Sequence, residues 1–256
     1  MKISVLVTTM NNGIERVLKE LVPQLVNCEI IISHQITDKT IKPLTKIPKK
    51  VVYTYMHNKG LSKNRNNALK YATGDICVIC DDDLNYVKGF NETILRAYEK
   101  NKNADIITFN AINEKGTLHS KFSKKKRVFK HTNITILSIT SWMITFKRKS
   151  ALKHKLFFDE KYGLGTKICV GEENIFLKDA LDKQMRVIHY QKPIVIHPDE
   201  SSGVDYRDEL IKSRPLVFKR MFGIIGYLFA LVYFPIFHRK FYKKKYSFFG
   251  FIRRSI

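Results

Sequence analysis

Three consecutive carboxylates, Asp81, Asp82 and Asp83, close an apolar run that reads Asp75-Ile-Cys-Val-Ile-Cys. The apolar part is expected to form a buried strand. Three acids at its carboxyl end repel one another and resist burial unless a positive charge sits among them. Asp81 and Asp83 are two apart, so in an extended segment both side chains point the same way. Two hard oxygen donors on one face suit Mg²⁺ or Mn²⁺, which in turn can carry a diphosphate. A solvated acidic turn after a strand is the plain alternative. The same stretch holds Cys77 and Cys80, but an i, i+3 pair on a strand points to opposite faces. That argues against a local disulfide or a shared zinc. Cys28 and Cys169 are isolated, and all four are expected to be reduced thiols of a cytosolic protein, most of them in the core.

The elements that must position these acids alternate in type. Ile3–Thr8, Glu29–Ser33, Val51–Met56, Ile76–Cys80 and Ile106–Phe109 read as strands. Between them, Ile14–Leu25 carries a helical apolar period, with Pro23 placed to kink or end it. Ser62 is placed to cap a helix running to Ala72, with Gly74 after it, and Phe90–Asn101 reads as another helix. This alternation predicts an open, largely parallel α/β sheet, whose ligands sit beyond the carboxyl ends of the strands. The Asp triplet and the Thr8–Asn12 turn both fall there. Further on, Lys115–Asn133 is strongly basic and is expected to be a mobile surface loop. Ser138–Phe146 regains a strand pattern, and Glu173–Leu181 reads as a helix.

At 256 residues one substantial core is the default, and the net charge of +23 implies an anionic partner. Met1 to Met10 is too short and too mixed for a signal peptide. From Arg214 to Ile256 there is no acid at all. Within that stretch Met221–Phe237 is uncharged and mostly apolar, with basic residues at both ends. Its length is at the short limit for a bilayer span, and basic flanks on both sides disfavour crossing. The Lys, Arg, Phe and Tyr of 241–256 suit an anionic membrane surface. A core helix or a dimer interface is the other reading, so a homodimer stays open.

Thr8-Thr9-Met-Asn11-Asn12, then Asn58, Gly60, Arg65 and Asn66, then Asp81–Asp83, form an ordered set. Together they resemble family 2 glycosyltransferases of the GT-A fold over roughly the first 200 residues. The resemblance implies a Rossmann-like, open mixed sheet flanked by helices at 1–213, followed by a membrane-associating segment at 214–256. It implies a UDP-sugar donor contacted by Thr8, Thr9, Asn11, Asn58, Gly60, Arg65, Asp81 and Asp82. The position of Arg65 suits either the nucleotide or an acid of the metal motif, and a solvated helix arginine is its plain alternative. It implies Mn²⁺ or Mg²⁺ held by Asp81 and Asp83, with His197 of the run Ile194-Val-Ile-His197-Pro198 as a further metal or diphosphate contact. Gly171-Glu172-Glu173-Asn174 matches the family's Glu-Asp signature, which puts the general base on Glu173. Glu172 beside it is placed to raise its pKa. An inverting sugar transfer needs such a carboxylate to take the acceptor hydroxyl's proton. Simple preference of acids for a helix N-terminus also accounts for this pair.

One departure concerns the base. Many relatives end the second strand in Asp-Asp-Gly-Ser, where the first Asp helps to hold uracil. Here the chain reads Ile32-Ser33-His34-Gln35, which leaves base recognition to Ser33, His34 or Gln35. The implied acceptor is a saccharide on polyprenyl diphosphate, at the cytoplasmic face of a bacterial inner membrane, in capsule, O-antigen or exopolysaccharide assembly. The protein there would be peripheral or monotopic. Two rival classes stay in view. A nucleic-acid-binding protein fits the charge but shows no readable motif. An inactive GT-A scaffold is opposed by the presence of Asp81, Asp83 and Glu173.

Overall fold

The computed structural model describes residues 1–119, 122, 127–197 and 208–256. Ten strands form one sheet: β1 Ile3–Met10, β2 Glu29–Gln35, β3 Val51–Met56, β4 Ile76–Asp81, β5 Asn85–Tyr86, β6 Ile106–Ile112, β7 Leu118–His119, β8 Val128–Lys130, β9 Ile144–Lys147 and β10 Val187–Ile196. The main path runs β3-β2-β1-β4-β9-β6-β10-β5. β3, β2, β1 and β4 are mutually parallel, so the ends of β1 and β4 emerge on one edge. β9 lies antiparallel between β4 and β6, and β5 and β8 pair antiparallel with β10. The sheet is therefore mixed.

Alternation along the strands builds two apolar layers. Ile76, Val78 and Cys80 enter the layer under α1 (Gly13–Arg16) and α3 (Phe90–Lys100), while Cys77 and Ile79 enter the layer under α2 (Leu61–Tyr71) and α5 (Glu172–Asp182). The two cysteines thus face opposite ways, and all four cysteines are free; Cys77 and Cys80 are buried, Cys28 and Cys169 half-buried. The helices are α1 Gly13–Arg16, α2 Leu61–Tyr71, α3 Phe90–Lys100, α4 Arg148–Lys153, α5 Glu172–Asp182, α6 Asp208–Phe237, α7 Arg239–Tyr242 and α8 Phe248–Ser255.

Several expectations change. The helix expected over 14–25 tightens and loosens: α1 passes into a π turn at Val17–Leu21 and a 3₁₀ turn at Val22–Gln24, where Pro23 lacks the donor for an α turn. Ser62 does not cap α2. Gly60 takes that place, and the Ser62 hydroxyl donates to the Tyr162 carbonyl at 2.7 Å. Ser138–Phe146 is two 3₁₀ turns, Thr135–Ser138 and Ser141–Met143, before β9 begins at Ile144. The basic stretch 115–133 contains β7 and β8, because Val128–Lys130 finds an open edge on β10. Its residues 120, 121 and 123–126 lie outside the described residues.

The core also runs past the boundary expected at 213. Val217 and Met221 of α6 are buried in the layer beneath α5. Helical geometry breaks at Gly223, whose φ of 69° and ψ of −158° suit a residue without Cβ. After that break the chain folds back on the first part of α6, and Ala230, Phe234, Tyr242 and Phe251 form a small apolar cluster with Ile211.

Candidate active site

The site gathers where β1 and β4 end. β4 stops at Asp81 and the chain turns, so the two-residue alternation expected to align Asp81 with Asp83 ends before it reaches Asp83. The three acids go separate ways. Asp81 accepts from Arg65 Nη2 at 2.8 Å and from Ser141 Oγ at 2.8 Å, with Thr8 Oγ1 at 3.5 Å. Asp82 folds back to accept from Thr9 Oγ1 at 2.6 Å, and its backbone carbonyl takes a hydrogen bond from Arg16. Gly13 makes this possible, since a Cβ there would collide with the Asp82 carboxylate and stand 2.6 Å from Thr9 Oγ1. Asp83 is exposed.

Arg65 is the positive charge that the triplet demands. It is 1% exposed and bridges Asp81 to Glu172, at 2.8 Å on each side. Its guanidinium lies 5.3 Å from the centroid of the Phe158 ring, and its Nε is buried without a partner. Burial alone would depress its pKa; the Asp81 and Glu172 charges outweigh that and raise it. For Asp81, burial would raise the pKa, but the Arg65 charge and three hydrogen bonds hold the carboxyl below its usual range. Asp82 goes the other way: burial, aided by the charges of Asp81 and Asp83, pushes it up. Removing Arg65 would leave two buried carboxylates uncompensated, a loss of about 3–5 kcal/mol.

α2 delivers Arg65 because its polar face is wired on all sides. Asn64 donates to the Thr9 carbonyl, Asn66 to the Phe158 carbonyl and Asn67 to Ser33 Oγ. Asn64, Arg65 and Asn66 are thus buried with polar partners, beside the apolar Ala68 and Leu69 of the same helix.

α5 opens at Gly171, held left-handed at φ 83°, and presents Glu172 and Glu173 in its first turn. Glu172 is 6% exposed, paired to Arg65, and packed so close to Gly163 that a Cβ there would stand 3.1 Å from it. Its charge thus bears on both Arg65 and Glu173. Glu173 is half-buried. Burial first and the Glu172 charge second push its carboxyl up, to about 8. That is the range of a group able to take a proton near neutral pH.

Other expected contacts are relocated. His34 is fully enclosed, with Nδ1 2.8 Å from Tyr53 Oη and Nε2 2.8 Å from the Asn11 carbonyl. It has no free edge for a base, contrary to expectation, and instead props the left-handed Asn11 turn (φ 50°). The Asn11 side chain accepts from the Thr37 and Asp38 backbone amides. Gln35 accepts from the Gly60 amide at 3.0 Å, and Ser33 is taken by Asn67. Asn58 is exposed on the approach to Gly60. His197, at the end of β10, stacks on Trp142 with centroids 5.0 Å apart; Pro198 lies outside the described residues.

Ser141 and Trp142 were not singled out in the sequence. These neighbours tie Asp81 and His197 to one 3₁₀ turn. The signal was there: Trp142 is the chain's single tryptophan. Among the described residues no group of three or more His, Cys, Asp and Glu side chains is arranged to hold a metal by itself. The expected trio of Asp81, Asp83 and His197 does not assemble, because Asp81 is spent on Arg65 and Ser141. What remains, the exposed Asp83 carboxylate beside a site rich in hydroxyls and amides, fits a hard cation held by one carboxylate and completed by substrate phosphates and water.

Comparisons with known proteins agree with this architecture. A sequence profile of Glycosyl transferase family 2 matches residues 4–184. The minor teichoic acid biosynthesis protein GgaB of Bacillus subtilis (strain 168) is 32% identical over 126 residues, covering 47% of this chain and 14% of GgaB. The chain thus spans a small part of that relative's length. The crystal structure of S. aureus TarS 1-349 superposes with a TM-score of 0.65 at 18% identity, covering 96% of this chain and 76% of that one. The same TarS fragment in complex with UDP-GlcNAc gives a TM-score of 0.68 at the same identity and coverage.

Proposed function

The chain belongs to glycosyl transferase family 2, and from that membership we propose that it moves a sugar from a UDP-sugar to a hydroxyl of a lipid-linked saccharide, inverting C1, in the assembly of a surface polysaccharide at the cytoplasmic face of a bacterial membrane. The observation that carries the reading is the chain of charges Asp81–Arg65–Glu172 ending beside the raised carboxyl of Glu173. It links the donor end of β4 to a proton acceptor at the start of α5. The GgaB and TarS likenesses support a teichoic acid type of polymer and a UDP-sugar donor.

The acceptor oxygen attacks C1 while the bond from C1 to the diphosphate oxygen breaks. Glu173, as carboxylate, takes the acceptor's proton. Glu172 and Arg65 hold that carboxylate in place, and Arg65 keeps Asp81 ionised. This reading assigns the nucleotide to the ends of β1 and α2, at Thr8, Thr9, Asn11 and Gly60. Asp83 would hold Mg²⁺ or Mn²⁺ by its carboxylate. When bound, the ion supplies neutralisation of the departing charge.

A panel of UDP-sugars with membrane-extracted lipid acceptor, read by UDP release, tests this. Glu173→Gln should lower turnover by about a hundredfold or more and still bind donor. Asp83→Ala, or EDTA on the unaltered protein, should remove divalent-dependent UDP binding. Turnover undiminished by EDTA would exclude the metal, and near-normal turnover of Glu173→Gln would exclude the base.

A further inference from the structure

Residues 208–222 of α6 are a wall with packing on both sides. One side belongs to the catalytic layer. A Cβ on Gly171, the residue that opens α5, would stand 2.6 Å from Val217 Cγ1, so Val217 occupies the space this glycine leaves. Ser213 Oγ accepts from the Cys169 amide at 3.1 Å. Arg220 bridges Asp179 of α5, at 2.9 Å, and Asp159, at 3.1 Å. The other side faces the C-terminal unit. Phe218 meets Phe229 and Phe234, with centroids 6.1 and 5.5 Å away, and Asp208 meets Tyr246 and Arg254.

Beyond the wall, one arc of α6 is bare. Ile224, Ile225, Leu228, Phe229, Val232 and Ile236 are each more than half exposed. At helical spacing they fall on one face. Such a face needs an occupant. Its surroundings argue for an anionic bilayer: residues 214–256 contain ten Lys and Arg and no acid. Arg239, Lys240 and Lys243–Lys245 are exposed just past the apolar arc. By length and composition α6 could cross a membrane, but the break at Gly223 leaves 14 residues to Phe237. These reach about 21 Å, short of the ~30 Å hydrocarbon core. The helix is built to lie in the interface.

We propose that this arc docks on an anionic lipid surface and that the docked unit, through Val217 and Arg220, holds Gly171–Glu173 in its working position, so that the base is fully ordered only at the membrane. The inference rests on the reading of Glu173 given above. It makes Val217 and Arg220 positioning residues, linked to lipid by continuous packing.

Hydrogen exchange on the full chain tests it without any substrate. With vesicles containing phosphatidylglycerol, the protein should float with the lipid, and amides of 169–177 should exchange about fivefold slower or more, the low end of coupling between sites. Phosphatidylcholine vesicles alone should do neither. Ile225→Glu with Leu228→Glu should stay folded and fail to float. Val217→Ala should float and lose the slowing; Arg220→Gln, altering only exposed ion pairs, gives the same readout if Val217→Ala folds poorly. Flotation without change at 169–177 would overturn the coupling. No flotation, or protection of the arc by concentration-dependent dimerisation, would overturn the membrane surface. UDP binding followed on the same samples separates the two ideas: its absence throughout would sink the transferase reading, whatever the lipid does.

Discussion

Arg65 shows how much one side chain decides. Its two ion pairs divide the acids of the site into those it holds and those it leaves. Asp81 and Glu172 are spent on it, and Glu173 keeps a high pKa because of its burial first and, second, because the Glu172 carboxylate lies beside it. In the proposed reaction the Glu173 carboxylate is the competent form, so the rate should rise with pH through about 8. Glu172→Gln removes the like charge and should move that limb to lower pH, as measured by kcat/KM against pH. An unmoved limb would mean that burial alone sets the value. The stability linkage has the opposite sense. Between its ordinary value of 4.5 and about 8, folded Glu173 keeps a proton that the unfolded chain has released. Its contribution is whole below pH 4.5 and gone once pH passes about 8.

At the scale of elements, the junction of α5 and α6 is the place to probe. Gly171 needs a left-handed backbone and has Val217 in the space a side chain would fill. Gly171→Ala should cost about 1–3 kcal/mol from conformation alone, and more from the collision. In a Val217→Ala background the collision is relieved and only the conformational part remains. The double-mutant cycle, read by urea denaturation, should therefore show a favourable interaction of about 0.5–3 kcal/mol. Strict additivity would mean that the two elements move apart freely, and would weaken the case for α6 as a shared wall.

The whole molecule carries an acid sensitivity in a second buried cluster. His131 and His189 are buried together, both within 2.8 Å of Thr108 Oγ1. Burial lowers His131 to about 4; burial and then the His131 charge lower His189 to about 3. Unfolding releases both to their ordinary value of 6.5, so their contribution is whole above pH 6.5 and lost as pH falls toward 4 and 3. Urea midpoints should fall over that window. In His131→Asn the slope should be shallower by about 1.4 kcal/mol per pH unit, one proton's share. An unchanged slope would place the acid sensitivity in the carboxylates instead.

Period and punctuation sufficed for the strands of the first half. Alternating Ile and Val, bounded by Gly, Asn and Asp, allow few other structures, and β1 to β4 and β6 stand where the sequence places them. The order of the polar motifs likewise pointed to the family, because Asn, Arg and Asp at strand and helix ends have few purposes in a core. What sequence spacing could not give was partnership. That Glu172 takes the other end of Arg65, that His34 is sealed behind Asn11, and that Ser141 and Trp142 join the site all depend on chain segments far apart in sequence. The same holds for α6: its composition announced an apolar surface, but only packing shows that Val217 and Met221 belong to the catalytic layer while Ile225 and Leu228 remain exposed. An apolar side chain has the same transfer free energy in any core, so composition marks what will be covered, and the tertiary structure alone decides by what.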